Sequence, residues 1–153
     1  MVNAEQIKEL RALTNISIGQ CKKALEEAGG DMAKALEALK AQGASIAEKK
    51  AGRVLNAGAV SAYIHSTGNM GALVQIHSET DFVARNPEFR ALADDLAMHV
   101  AACDPVDLKE LLEQPFVKEP SLTVDDLVKS HVQKFGERIE IIRFSRFDTS
   151  SIG

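Results

Sequence analysis

The hydrophobic pattern of this chain changes period once. Up to about residue 43 apolar residues recur every three or four positions, and beyond Asn56 they alternate. A chain that reads helical first and strand-like afterwards is constrained to an α+β organisation, with helices segregated from a small sheet. Asn3 can cap a first helix bearing Ile7, Leu10 and Leu13 on one stripe, with Gln6 placed to return the cap's bond. Ser17 and Gln20 repeat the arrangement before Ile18, Cys21, Leu25 and Ala28, and Gly29-Gly30 ends that helix. Asp31 then caps a third helix with Met32, Ala35, Leu36 and Leu39 inward and Gly43 as its stop. These residues, 1–43, form a three-helix module near the lower size limit for independent folding. Residues 44–56, dominated by Ser45, Glu48, Lys49, Lys50, Gly52 and Arg53, read as a linker or a partner-docking stretch.

Residues 57–147 read as an α+β core. Gly58 to His65 and Gly71 to Ser78 form an antiparallel hairpin around the turn-forming Ser66–Met70, with Val60, Ala62, Ile64, Ala72, Val74 and Ile76 expected inward. The cover for that face is a helix opened by Asn86-Pro87, which carries Phe89, Leu92, Ala93, Leu96, Ala97, Val100 and Ala101 on one stripe. A short helix with Leu108, Leu111 and Leu112 follows, then a loop holding Pro115 and Pro120, then a helix from Thr123 to Gly136. Ile139 to Phe147 reads as a third strand whose apolar residues switch faces at Ile141-Ile142, the mark of a bulge or of burial on both sides. Residues 148–153 are expected to be a frayed tail.

Composition narrows the function classes. With 18 Lys and Arg against 22 Asp and Glu, the net charge is −4, which disfavours general nucleic-acid binding because phosphate neutralisation needs clustered cations. No apolar run is long enough to span a bilayer, and Met1 to Leu10 lacks the basic start and apolar stretch of a signal peptide. A cytoplasmic protein without membrane or nucleic-acid partners is expected. Cys21 and Cys103 are too far apart in sequence to suggest a disulfide framework or a zinc site, and both are expected reduced and buried. Phosphate-cradling, dinucleotide and metal-ligand motifs are absent.

His65 and His77, on neighbouring strands, are roughly 17 Å apart if His65 pairs near Ala72, too far to share a metal. His99 reads as a surface residue and His131 as a satisfied core residue. The lysines beside Cys21 would activate its thiol, but its place on an apolar stripe favours core packing. Neither a metal, a cofactor nor covalent chemistry is expected.

One segment is anomalous. Between the second strand and the main helix, Glu79-Thr80-Asp81-Phe82-Val83-Ala84-Arg85-Asn86-Pro87 sets a large aromatic directly after an acid, in a chain with six Phe, one Tyr and no Trp. Phe82 is either a core residue tucked under the helix or an exposed anchor on a loop, the arrangement that gives an interface its central buried contact.

Thr80-Asp81-Phe82-Val83-Ala84-Arg85-Asn86 resembles the signature of the elongation factor Ts family. Leu10-Arg11-x-x-Thr14 with Cys21-Lys22-Lys23-Ala24-Leu25 is similar to that family's N-terminal module, a three-helix fold of the ubiquitin-associated type. Gly136-Glu137-x-Ile139-x-Ile141 with Arg143-Phe144 resembles the closing strand of its core. The resemblance implies a guanine nucleotide exchange factor of the translation GTPase elongation factor Tu, binding its GDP-bound and nucleotide-free forms. It implies an exchange loop of Thr80, Asp81, Phe82 and Val83 in which Phe82 wedges near the GTPase's magnesium and phosphate site, Asp81 either caps the loop or reorganises polar groups around that magnesium, and Thr80 and Val83 shape the loop or its rim. Lys22 and Lys23 of the N-terminal module are either partner contacts or a solvated helix face.

The chain departs from the family at Thr14-Asn15-Ile16-Ser17-Ile18-Gly19, where the family has a Thr-Gly pair followed by glycine and methionine. It also has room for one core unit where longer members have two, so a homodimer would supply the missing surface. The rival readings are a protein-binding adaptor built on the three-helix module and a small-molecule enzyme using Cys21 or a histidine.

Overall fold

A computed structural model describes residues 1–150, which form two compact units. The first contains Met1–Gly52 together with Asp126–Glu137, and the second runs from Arg53 to Asp125 and resumes at Arg138.

In the first unit, α1 (Ala4–Thr14), α2 (Ile18–Glu27) and α3 (Met32–Lys50) begin at the expected caps. Asn3 Oδ1 accepts from the Gln6 N–H at 2.8 Å and the Gln6 side chain returns the bond to the Asn3 N–H at 3.2 Å. Asp31 accepts from the Lys34 N–H at 3.0 Å. The break between α2 and α3 uses Gly29 and Gly30, whose φ angles of +64° and +83° exclude most side chains. Leu10, Ile16, Leu25 and Leu39 are fully or nearly fully buried around Cys21, Ala24 and Ala35. Burial of such side chains stabilises by about 2 kcal/mol each, so this is a thin core for three helices.

Two expectations fail here. Gly43 does not stop α3, because Ala44, Ala47 and the charged residues that follow are competent helix formers and carry the helix on to Lys50. Gly43 is instead a buried site of close approach, since a Cβ there would stand 3.5 Å from the Lys129 carbonyl of α7 (Val124–Phe135). Ile18 is 56% exposed and Ile16 takes the inward place. Ile16 precedes the Ser17 cap and packs in the same cluster as Cys21, the staple geometry at a helix start.

The second unit is built on a three-stranded antiparallel sheet of order β1-β2-β5, from β1 (Ala57–Ile64), β2 (Met70–Ser78) and β5 (Ile139–Asp148). A single-turn helix α4 (Asp81–Ala84) leads into α5 (Pro87–Cys103), which lies on the sheet with Phe89, Leu92, Ala93, Leu96, Ala97, Val100 and Ala101 buried as expected. Arg146 donates to the Ala101 carbonyl at 2.9 Å and so ties β5 to the last turn of α5. The bulge at Ile141-Ile142 is present: Gln75 faces Arg143 and Ile76 faces Ile141, leaving Ile142 as the extra residue.

The buried face of β1 is the opposite of the expected one. Ala59, Ser61 and Tyr63 lie opposite Ile76, Val74 and Ala72, while Val60 and Ile64 are 64% and 68% exposed. Small residues at 59 and 61 let α5 approach, and the Ser61 hydroxyl donates to Asp94 of α5. The pairing is also shifted. The turn runs from His65 to Met70, with the His65 N–H donating to the Met70 carbonyl and Gly68 at φ +73°. The sheet therefore keeps an open apolar face of Val60, Ala62, Ile64, Leu73 and Phe147.

After α5 come α6 (Leu108–Glu113) and a small hairpin, β3 (Pro115–Phe116) with β4 (Glu119–Thr123), where the prolines predicted only a loop. That segment buries His99, expected on the surface: its Nε2 lies 2.9 Å from Gln114 Oε1, and its Nδ1 accepts from the Val117 N–H at 3.1 Å. His131 is buried as expected, its Nδ1 bonded to the Leu127 carbonyl at 2.9 Å. Of the expected tail, Asp148 closes β5 and the Thr149 N–H donates to the Asn69 carbonyl at 2.9 Å, while residues 151–153 lie outside the described part. No described helix is long and apolar enough to cross a membrane.

Candidate functional site

The segment from Ser78 to Asn86 is a rigid platform with one aromatic on top. Ser78, fully buried at the end of β2, donates its hydroxyl to the Thr80 carbonyl at 3.0 Å. Thr80 is the N-cap of α4, its Oγ1 accepting from the Val83 N–H at 3.4 Å. The Ala84 N–H closes on the Thr80 carbonyl, the Arg85 N–H on Asp81 and the Asn86 N–H on Val83. Asn86 then caps α5, and Arg90 reaches back from α5 to donate to the Ala84 carbonyl at 2.8 Å.

A single helical turn divides its four side chains by direction. Val83 and Ala84 are 3% and 1% exposed, packed where α4 meets β1, β2 and α5. Asp81 and Phe82 project outward, and Phe82 is 84% exposed. The alternative of Phe82 as a core residue is therefore excluded. Of the expected loop residues, Asp81 and Phe82 are available to a partner and Thr80 shapes the turn. Val83, counted with the exchange loop, is buried and anchors the turn from below.

In the first unit, Lys22 and Lys23 are exposed but paired along the helix, with Glu26 at 3.8 Å and Glu27 at 3.9 Å. Exposed i,i+4 pairs contribute only about 0.3–0.5 kcal/mol, so both cations remain available to a stronger partner. Ile18, expected inward from its sequence, is an exposed apolar residue on this module that the sequence did not single out. It lines a groove with Ala4, Ile7, Lys8 and Arg11 of α1 and the C-cap residue Asn15. The staple formed by Ile16 is the signal that would have found it, because two inward residues so close to one cap are redundant.

Among the described residues, Cys103 Sγ lies 3.8 Å from His99 Nδ1, and burial disfavours the charged form of each. Burial pushes the Cys21 thiol up, against the opposing pull of Thr14 and Arg11, and the residue is fully covered. Burial also raises the Cys103 thiol, and it holds His99 below its ordinary value. His77 faces Gly58 while His65 sits at the turn, about seven residues away, or roughly 23 Å at the strand rise. That is further than the shifted register assumed from sequence allowed.

The model of the family described as Elongation factor TS matches residues 79–152. The chain is 38% identical to elongation factor Ts of Carboxydothermus hydrogenoformans over 193 aligned positions, covering 97% of this chain and 89% of the relative. It is 39% identical to elongation factor Ts of Acetivibrio thermocellus, covering 97% and 90%. A chloroplastic elongation factor Ts from Guillardia theta is 36% identical, with 95% and 88% covered. The alignment with the first of these spans 193 positions against 153 residues here, so at least 40 positions of that relative have no counterpart in this chain. At this identity over nearly the whole chain, and with the family model falling on the platform that carries Phe82, the chain belongs to the elongation factor Ts family of translation elongation factors.

Proposed function

We propose that this chain is a guanine nucleotide exchange factor that promotes GDP release from elongation factor Tu through the loop Thr80–Val83. The single observation that carries the reading is the 84% exposure of Phe82 on a turn whose next two residues are buried. An aromatic ring held out on a rigid base loses little side-chain entropy on insertion and offers large apolar area, which is what an interface anchor needs. Phe82 is the wedge, entering between elements of the GTPase near its magnesium and phosphate site. Asp81, beside it, meets the polar groups of that site. Thr80 and Val83 hold the turn in shape.

No covalent step is required. A factor that binds the nucleotide-free GTPase more tightly than the GDP-bound one must, by linkage, lower GDP affinity by the same factor. The three-helix module supplies a second contact through Lys22, Lys23 and the groove beside Ile18. The open sheet face is read as the contact for a second copy of this chain, since an apolar patch is complementary to itself across a two-fold axis.

Titration calorimetry tests the reading with elongation factor Tu in two states. Affinity at least about tenfold higher for the nucleotide-free form than for the GDP-bound form is expected, the lower end of useful coupling. Equal affinities overturn it. If the isolated first fifty residues bind some other protein while Phe82→Ala changes nothing, the adaptor reading takes its place.

A further inference from the structure

Glu79 stands one residue before the Thr80 cap and is not a partner contact, because its carboxyl group is turned inward with the side chain only 15% exposed. Both of its oxygens are committed. Oε1 accepts from the Arg53 guanidinium at 3.3 Å, and Oε2 accepts from the Arg138 backbone N–H at 2.5 Å. Arg138 closes the ring, donating from its own guanidinium to the Arg53 carbonyl at 2.6 Å and holding Glu140 at 2.7 Å. Three chain segments meet on this one carboxylate: the residue that opens the second unit, the residue before β5, and the base of the exchange loop.

A carboxylate this covered is stable only when its charge is answered, and charge-assisted hydrogen bonds are the strong ones. From Glu79 onward the backbone has no sheet partner until α4 forms, so the direction in which Phe82 leaves the platform depends on how residue 79 is held.

We infer that Glu79, clamped between Arg53 and the Arg138 N–H, is the positioning residue that aims Phe82. The inference rests on the reading of Phe82 as the wedge. A glutamine in its place has a single acceptor oxygen and would turn an N–H₂ donor toward either Arg53 or the Arg138 N–H, so one arm of the clamp opens while side-chain volume is kept.

The test is a double-mutant cycle on release of a fluorescent GDP analogue from elongation factor Tu, using full-length Glu79→Gln, Phe82→Ala and the double variant, with amide hydrogen exchange on each. Glu79→Gln is expected to slow release about tenfold, the worth of one charge-assisted hydrogen bond. In the Phe82→Ala background the same change should cost less than about twofold, since the clamp acts through the ring. Amides of Asp81 to Arg85 should exchange faster in Glu79→Gln while those in the middle of α5 do not.

Unchanged release with Glu79→Gln, or an equal loss in both backgrounds, overturns the inference. If Glu79→Gln does not fold, Arg53→Gln opens the other arm and should give a smaller loss with the same dependence on Phe82. If Phe82→Ala leaves release intact, the wedge reading fails. The clamp then stands or falls on whether the loop amides, and they alone, lose protection.

Discussion

Replacing Phe82 by alanine separates a functional aromatic from a structural one, and the size of the effect can be worked from its surroundings. A phenylalanine brings about 150–250 Å² to an interface. With the residue 84% exposed in the free protein, about 170 Å² remains to be buried on a partner if the whole is taken as roughly 200 Å². At about 25 cal/mol per Å² this is about 4 kcal/mol, and the alanine methyl keeps about a quarter of it. The net loss of about 3 kcal/mol in partner binding lies within the range of interface hot spots. It corresponds to roughly a hundredfold loss of exchange at limiting factor concentration. Stability should move by less than about 0.5 kcal/mol, as for other exposed substitutions away from structural features. Stopped-flow release of a fluorescent GDP analogue and urea denaturation of the same samples give both numbers. Normal exchange combined with a collapsed denaturation midpoint would overturn the wedge role, because the ring would then serve stability and not the partner.

His99 makes stability depend on pH. Burial holds its pKa below the ordinary 6.5, partly offset by the bond to Gln114, so the unfolded chain takes up the proton first. The stabilisation is complete above about pH 6.5 and is lost as pH falls through the lower folded value, which a His99→Gln variant should flatten in urea midpoints taken between neutral and mildly acid pH. Phe147→Glu places a charge on the open sheet face. Sedimentation velocity should show the wild-type chain self-associating and the variant monomeric, whereas identical profiles would leave that face unused. In the first unit, Ile18→Asp is expected to weaken binding to elongation factor Tu more than Lys22→Ala and Lys23→Ala do, since the isoleucine offers apolar area and the lysines only screened charge. Calorimetry ranks the three.

What the amino-acid pattern revealed was local chemistry repeated along the chain. The Asn3, Ser17, Asp31 and Asn86 caps, the Gly29-Gly30 break and the apolar stripe of α5 each depend on neighbours within a turn or two, and each stands where it was read. The bulge at Ile142 was readable for the same reason. What escaped was set by tertiary packing. Val60, Ala62 and Ile64 are the more apolar face of β1, yet α5 lies on Ala59 and Ser61 because small residues admit a helix. His99 looked exposed on its own helix and is covered by a segment whose prolines disguised a two-stranded ladder. Gly43 looked like a stop because the approach of α7 from eighty residues downstream leaves no local trace. At the candidate site, residues 80–83 were identified from the motif alone, but the outward turn of Phe82 and the inward turn of Val83 follow from α4 being a single helical turn, which no periodicity of four residues can announce.

Exchange itself is measured by release of a fluorescent GDP analogue from elongation factor Tu with this chain present at a small fraction of the GTPase concentration and unlabelled GDP in excess. Turnover, with each molecule of the factor discharging many molecules of the GTPase, is the predicted result. Release at the spontaneous rate from a folded factor that binds its partner would contradict it.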